Sequence, residues 1–401
     1  MPSWQRDLID LSQSLVFRHL MAKKRRLLRD EAVTQGAKYW WATRHYLLGR
    51  QRSKWMIFLA TALLTLVERP LSLYGGLQTV DYEAFFADRD RGQAMFRVRS
   101  ATLLGFIASI IGLPAVIRRN RYACTRNDAL ALFLARLATP GRLVDLRSKL
   151  NLQWSESKIS SIISTVAWYI YGRYKGVIRL DLRWLSQQRC NIYANATAQV
   201  GSMVQGLIGF FDGVTYSVCR PGGREQRCMY SGHKKEHCYR EQTLVLVNGL
   251  IMSMFGPYKG ASNDQELLHF SGILHVLDQA VPPGFVFYGD KGYIRTHQTP
   301  RLVTPFRGVD ANGPGLLFNK RMSMLRVTVE WPFGAKGFGL KAEFAYFQQR
   351  RRPKVTPVWV MWACSTFLYN IITCIEGSEH NQVARHFGVS PPDIQEYMAG
   401  L

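Results

Sequence analysis

Acidic residues are scarce in this sequence. Its 401 residues hold 28 Asp and Glu against 52 Lys and Arg, a formal net charge of +24. A chain this basic repels itself unless a polyanion screens it, which makes nucleic acid the leading partner class and an acidic membrane surface the second. Long apolar runs are also lacking. The longest, Met56 to Val67, is twelve residues between Lys54 and Glu68; a bilayer needs about 20, so a buried helix is the expectation there. The first twenty residues carry Arg6, Asp7, Asp10 and Arg18 and no apolar run of the secretory kind. Cysteine is thin and odd in number, seven in all, which suits reduced thiols. A soluble intracellular protein with no membrane partner is expected. Hydrophobic residues make up 47% of the chain, enough for a sizeable core, and no repeat or low-complexity tract stands out.

Four regions follow from the texture of the chain. Residues 1–85 are helix-leaning and very basic, with Lys23-Lys24-Arg25-Arg26 and Arg29 in one cluster. That cluster reads either as a solvated face or as a nuclear address or phosphate-binding arm. Residues 86–195 are helical in pattern. Leu130, Phe133, Leu134 and Leu137 recur at helical steps before Pro140-Gly141, and Leu143, Leu146 and Leu150 share a face. Ser155 is positioned to cap a helix whose buried stripe is Ile159, Ile162, Ile163 and Val166. Two short helices around a turn make either an ordinary helical hairpin or a helix-turn-helix. In the second case the polar face with Lys158 and Ser161 enters a major groove. Residues 200–375 mix short β-prone runs (207–211, 243–247, 285–288) with a helix over about 264–278 and a buried helix over 358–375, an α/β domain. Residues 376–401 form a C-terminal tail.

Within the α/β region, acids stand at informative places. Asp212 follows the apolar run Ile208-Gly209-Phe210-Phe211, and Asp290 follows Phe285 to Tyr288 and Gly289. Both are expected at strand ends, held where the backbone leaves the sheet. Glu330 comes forty residues after Asp290, on an expected helix that must accommodate Pro332. Asp264 sits at a helix start. Clustered carboxylates raise one another's pKa, and hard divalent cations such as Mg²⁺ or Mn²⁺ relieve that repulsion. A pair of such ions activates water or a 3′-hydroxyl for in-line attack on a phosphodiester, with no covalent intermediate. Taken singly, each acid has an ordinary explanation: Asp212-Gly213 as a turn, Asp264 as a helix cap, Glu330 as a surface charge.

The neighbouring residues favour the chemical reading. Phe211-Asp212-Gly213-Val214 is followed by Arg220-Pro221. Next come Tyr230-Ser231-Gly232-His233-Lys234-Lys235-Glu236-His237 with Gln242, then Gly256-Pro257 and Gly260-Ala261-Ser262-Asn263-Asp264 with Ser271-Gly272. Gly289-Asp290-Lys291-Gly292-Tyr293, Thr304-Pro305-Phe306, and Phe318-Asn319 with Arg326, Glu330, Phe333-Gly334 and Lys336 complete the series, ahead of Leu368-Tyr369-Asn370. In this order the stretches resemble the PIF/Harbinger family of DDE transposases from about residue 205 to 375. The likeness is looser over 97–190, where that family also carries a helix-turn-helix. The resemblance implies an RNase H-like fold, helices packed on a mixed sheet. It implies that Asp212, Asp290 and Glu330 hold two divalent cations, with Asp264 as a further acid. It also implies a nuclear, self-associating enzyme that cuts and joins DNA at transposon ends and target sites, aided by a Myb-like DNA-binding partner. A former transposase kept as a DNA-binding or scaffold protein without catalysis is the alternative.

Three further features stand out. Lys291 stands beside Asp290 and, with Lys336 and the cluster Arg350-Arg351-Arg352, is expected to touch DNA phosphate. Cys228, His233 and His237 fall within the range of structural zinc spacing, with Cys219 and Cys238 nearby, though the usual short Cys pair is missing. The glycines at 256 and 260 lack the Lys-Ser/Thr ending of a nucleotide-binding loop.

Overall fold

The computed structural model describes residues 80–119, 122–223, 225–294, 299–308, 313–335, 337, 339–352 and 357–401. The apolar run 56–67, the basic cluster at 23–29 and Lys336 lie outside these residues. The described chain forms two units, 80–135 with 141–166 and 136–140 with 167–401.

The first unit is mostly helical. Helices α1 (Tyr82–Phe86), α2 (Arg89–Phe96) and α3 (Ala101–Ile110) precede strands β1 (Val116–Arg119) and β2 (Tyr122–Thr125), then α4 (Arg126–Ala138), α5 (Leu143–Lys149) and α6 (Glu156–Arg179). Of these, α4 from 136 and α6 from 167 belong to the second unit. The antiparallel β1–β2 pair, Val116 opposite Thr125 through Arg119 opposite Tyr122, corrects the all-helical expectation for this stretch. Four-residue strands are too short to establish a two-residue period against the helical steps around them. The start of α4 is set by a reciprocal cap. The Asp128 amide donates to Thr125 Oγ1 at 3.1 Å, and the Thr125 hydroxyl donates to Asp128 Oδ2 at 2.7 Å. Ser155 caps α6, accepting the Lys158 amide at 3.2 Å, and Ile159, Ile162, Ile163 and Val166 are buried. The helix after the turn is 24 residues long, not short.

The second unit is built on a mixed sheet. After α7 (Gln187–Gln199) come β3 (Leu207–Ser217), α8 (Glu225–Met229), β4 (Tyr230–Ser231), β5 (Glu236–Leu246) and β6 (Ile251–Lys259). Next are α9 (Asp264–Ser271), α10 (Ile273–Ala280), β7 (Val286–Tyr288), β8 (Leu302–Val303), α11 (Pro314–Arg326) and a 3₁₀ segment, Val327–Phe333. Helices α12 (Leu340–Glu343), α13 (Val358–Glu376), α14 (Gln382–Phe387) and α15 (Ile394–Met398) close the chain. β5 runs antiparallel to β3 and to β6, whereas β7 and β8 run parallel to β3, in the order β6-β5-β3-β7-β8. The central strands are continuous apolar runs because helices cover the sheet. α13 is buried over nearly its whole length, from Val358 to Cys374. It is pinned to the sheet by Asn370, which accepts the Ile251 amide at 3.0 Å and donates to the Ile251 carbonyl at 2.9 Å.

Three local expectations change. The run at 207–211 continues to Ser217, so Asp212 lies inside a strand rather than at its end. The helix expected over 264–278 is two helices, because Gly272 adopts a left-handed φ of 61° between them. The helix carrying Glu330 is a 3₁₀ segment. In an α-helix the Pro332 ring would clash with the carbonyl four residues back, that of Thr328, and the chain tightens from Val327 instead.

Candidate functional site

The sheet register assembles the site. Asp212 on β3 sits opposite Thr243 on β5, and on the other flank Phe210 sits beside Tyr288 of the parallel β7. Two residues further along each chain stand Asp212 and Asp290. The register therefore carries both acids toward the same end of adjacent strands, near enough that the Asp290 charge acts on Asp212. Asp290 lies beyond the end of β7, as expected, and its Oδ1 accepts the Gly292 amide at 2.8 Å.

Glu330 reaches the same place through Arg326. The Arg326 guanidinium lies 3.5 Å from Asp212 Oδ1 and 3.0 Å from Glu330 Oε1, a four-residue pair across the junction of α11 and the 3₁₀ segment. Glu330 is half-exposed and Asp212 is largely covered. Burial raises the Asp212 carboxyl to about 7; Arg326 opposes the rise, and the charges of Glu330 and Asp290 add to it.

Asp264 comes from the other side of the cluster. The cap of α9 is Asn263, whose Oδ1 accepts the Glu266 amide at 2.9 Å, so Asp264 is the first helical residue and not the cap. Its Oδ1 takes a charge-assisted bond from Arg240 at 2.5 Å. Burial raises the Asp264 pKa, Arg240 opposes this, and Asp290 reinforces it. Two glycines make room for these groups. A methyl at Gly213 would collide with Asp264 Oδ1. One at Gly292 would lie 2.8 Å from Asp264 Oδ2 and 2.9 Å from Asp290 Oδ1.

These residues offer only carboxylate oxygens, the donors that hard divalent cations prefer, and the glycine cradle leaves the space between them open. On that chemistry the donor set is of a kind that suits such a cation, with Arg326 paired to Asp212 and Glu330. As they stand, no three His, Cys, Asp or Glu side chains among the described residues converge tightly enough to hold an ion. The zinc spacing at Cys228, His233 and His237, with Cys219 and Cys238, assembles no such group either.

Several residues of the site carry no chemical role in the sequence. Arg326, Gln242, Tyr293 and His233 stand there only as members of the family-like stretches, and Arg240 not at all. Tyr293 is fully buried; burial first, then the charges of Asp264, Asp212 and Asp290, push its hydroxyl pKa well up. His233 is near enough to Asp264 to lower that acid's pKa. A signal for Arg240 exists in principle: a cation on β5, two residues before Gln242, in a strand otherwise suited to burial.

The expected DNA contacts divide. Lys291 is exposed beside Asp290. Lys158 is half-buried, its Nζ 3.7 Å from the centroid of the Trp154 ring, and Ser161 is half-buried with its carbonyl accepting the Thr165 hydroxyl at 2.8 Å. Arg350 and Arg352 flank a residue of different character. Arg351 donates to the Pro140 carbonyl at 2.6 Å and lies 4.3 Å from the Tyr346 ring centroid, and burial lowers its pKa. Two outcomes follow. Joint replacement of Arg350 and Arg352 by alanine should reduce the log–log salt slope of DNA binding by about two and leave the unfolding midpoint alone. Arg351→Ala should instead destabilise the protein by about 1–3 kcal/mol in denaturant unfolding, because the half-buried Pro140 carbonyl loses its donor.

Residues 211–370 match the family described as DDE superfamily endonuclease. The matched segment begins one residue before Asp212, ends at Asn370 and contains Asp264, Asp290 and Glu330. The mixed sheet flanked by helices fits a nuclease domain of that kind. The match supports a transposase or nuclease function and implies a DNA substrate; members of the superfamily generally use divalent metals. No curated protein and no solved structure compared with the chain matches it.

Proposed function

We propose that the chain is a divalent-metal-dependent DNA transposase or endonuclease of RNase H-like fold, akin to the PIF/Harbinger type. The observation that supports this reading is the parallel β3–β7 register, with Asp212 on β3 and Asp290 just past the end of β7, inside the matched segment. Bound at these acids, Mg²⁺ or Mn²⁺ ions supply activation of water or a 3′-hydroxyl and stabilisation of the leaving oxygen of the phosphodiester. Asp212 and Asp290 hold the ions, Asp264 assists from the first turn of α9, and Glu330 completes the set. Arg326 pairs with both Asp212 and Glu330. Arg240 orients Asp264 through its 2.5 Å contact and a bond to the Ser262 carbonyl at 2.8 Å. Lys291, Lys336, Arg350 and Arg352 contact the DNA backbone, and the α5–α6 turn with Lys158 and Ser161 helps to place the duplex. Nuclear residence, self-association and a Myb-like partner belong to the same reading.

The second reading, a DNA-binding protein derived from a transposase and lacking catalysis, is favoured by one contact set: Arg326 already occupies the position of a cation between Asp212 and Glu330. Nicking of supercoiled plasmid in Mg²⁺ or Mn²⁺ separates the two. Nicking by the wild type, lost in EDTA and in Asp290→Asn, is the expected result. DNA binding by both proteins with nicking by neither establishes the second reading in place of the first.

A further inference from the structure

Phe306 exposes 58% of its surface. The chain does not leave this ring loose. Asn319 of α11 grips the Phe306 backbone at both polar atoms, Oδ1 accepting the amide at 2.8 Å and Nδ2 donating to the carbonyl at 2.9 Å. Phe318 supports the ring from behind, edge to face, with centroids 4.9 Å apart at 67°. The position is as defined as the conformation. β8 runs parallel to β7 with Val303 beside Tyr288, so the chain leaves the sheet at one edge both at Phe306 and at Asp290. Arg307 ties the two loops, donating to the Lys291 carbonyl at 2.9 Å. The result is an immobilised, solvent-facing aromatic surface beside the acidic cluster, with the exposed cations Lys291 and Arg307 next to it.

The clamp fixes the ring where it is exposed to water, and the exposed cations Lys291 and Arg307 stand near it. Both features are accounted for by a ligand with a flat apolar face and an anionic backbone. We propose that Phe306 is a stacking platform for the base of an unpaired nucleotide adjoining the phosphodiester at Asp212 and Asp290, with Lys291 and Arg307 beside its phosphates. In an intact duplex both faces of a base are covered by its neighbours, so the platform selects ends, extensions or opened positions. Every base has a π-face, so the contact tolerates any sequence. The inference rests on the nuclease reading and deepens it.

The test compares binding of the full chain to a blunt duplex and to the same duplex carrying a single-stranded thymidine extension. Wild type is expected to prefer the extension by at least about fivefold. Phe306→Ala should abolish that preference and Phe306→Tyr should keep it, both with unchanged thermal melting. A 2-aminopurine in the extension should be quenched by wild type and by Phe306→Tyr, and not by Phe306→Ala. A preference or quench in Phe306→Ala equal to that of wild type overturns the proposal, as does a wild type that nicks DNA yet shows no preference. Absence of both nicking and DNA binding in the wild type overturns the nuclease reading itself.

Discussion

Gly292→Ala is expected to lower metal-dependent nicking by at least about a hundredfold in a protein that still folds. The added methyl would stand 2.8 Å from Asp264 Oδ2 and 2.9 Å from Asp290 Oδ1, closer than carbon and oxygen tolerate. One or both carboxylates must turn aside, and a displacement of ~1 Å at reacting groups costs about a hundredfold in rate. Backbone strain is not the cause, because the left-handed glycines among the described residues are other positions. The Gly292 amide that bonds Asp290 Oδ1 is retained as well. Gly222→Ala is the matched control, since its methyl would meet nothing within 4 Å. Comparable nicking rates for Gly292→Ala and wild type, measured on supercoiled plasmid in Mg²⁺, would remove the shared carboxylate space from the account.

The same residues show what the sequence discloses and what it hides. The apolar runs before Asp212 and Asp290 announce two buried strands, because a strand covered on both faces is written as continuous hydrophobic residues. That β7 pairs with β3 in parallel, and with which register, is a tertiary fact no local pattern contains. Asp212 reads as a strand-end turn because Gly213 follows it. The strand runs on through Gly213 because the glycine makes room for Asp264, a residue far away in sequence. Arg326 and Arg240 are hidden for the same reason: a cation's partner is chosen by the fold, and only the four-residue spacing of Arg326 to Glu330 is local. Pro332 is legible as a disturbance, and its form, a 3₁₀ segment, follows from relieving the clash at Thr328. Arg351 shows that a charge run need not be one surface: its half-buried middle member packs against Tyr346.

Asp212→Asn is expected to stabilise the metal-free protein at pH 8 by as much as about 4 kcal/mol while removing nicking. Burial, with Glu330 and Asp290 adding to it, lifts this carboxyl from 3.8 to about 7, and a tenfold change in proton affinity is worth about 1.36 kcal/mol. The sign follows from proton counting. Between the two values the native state holds a proton that the unfolded chain has released, so native stability falls as pH rises from about 4 to about 7. Above 7 both states are ionised and the whole penalty stands; below 4 both are protonated and none remains. Asparagine has no proton to lose, so its advantage over wild type should be small near pH 4, grow through the interval and level off above pH 7. Urea unfolding across that range measures it. A divalent cation competes with the same proton. Added Mg²⁺ should therefore stabilise wild type at pH 8, do so progressively less below 7, and leave Asp212→Asn little changed. If Asp212→Asn proves no more stable than wild type at pH 8 without metal, burying the Asp212 carboxylate beside Glu330 and Asp290 carries no such penalty. The instability of the ionised, empty site could not then be what draws a cation in.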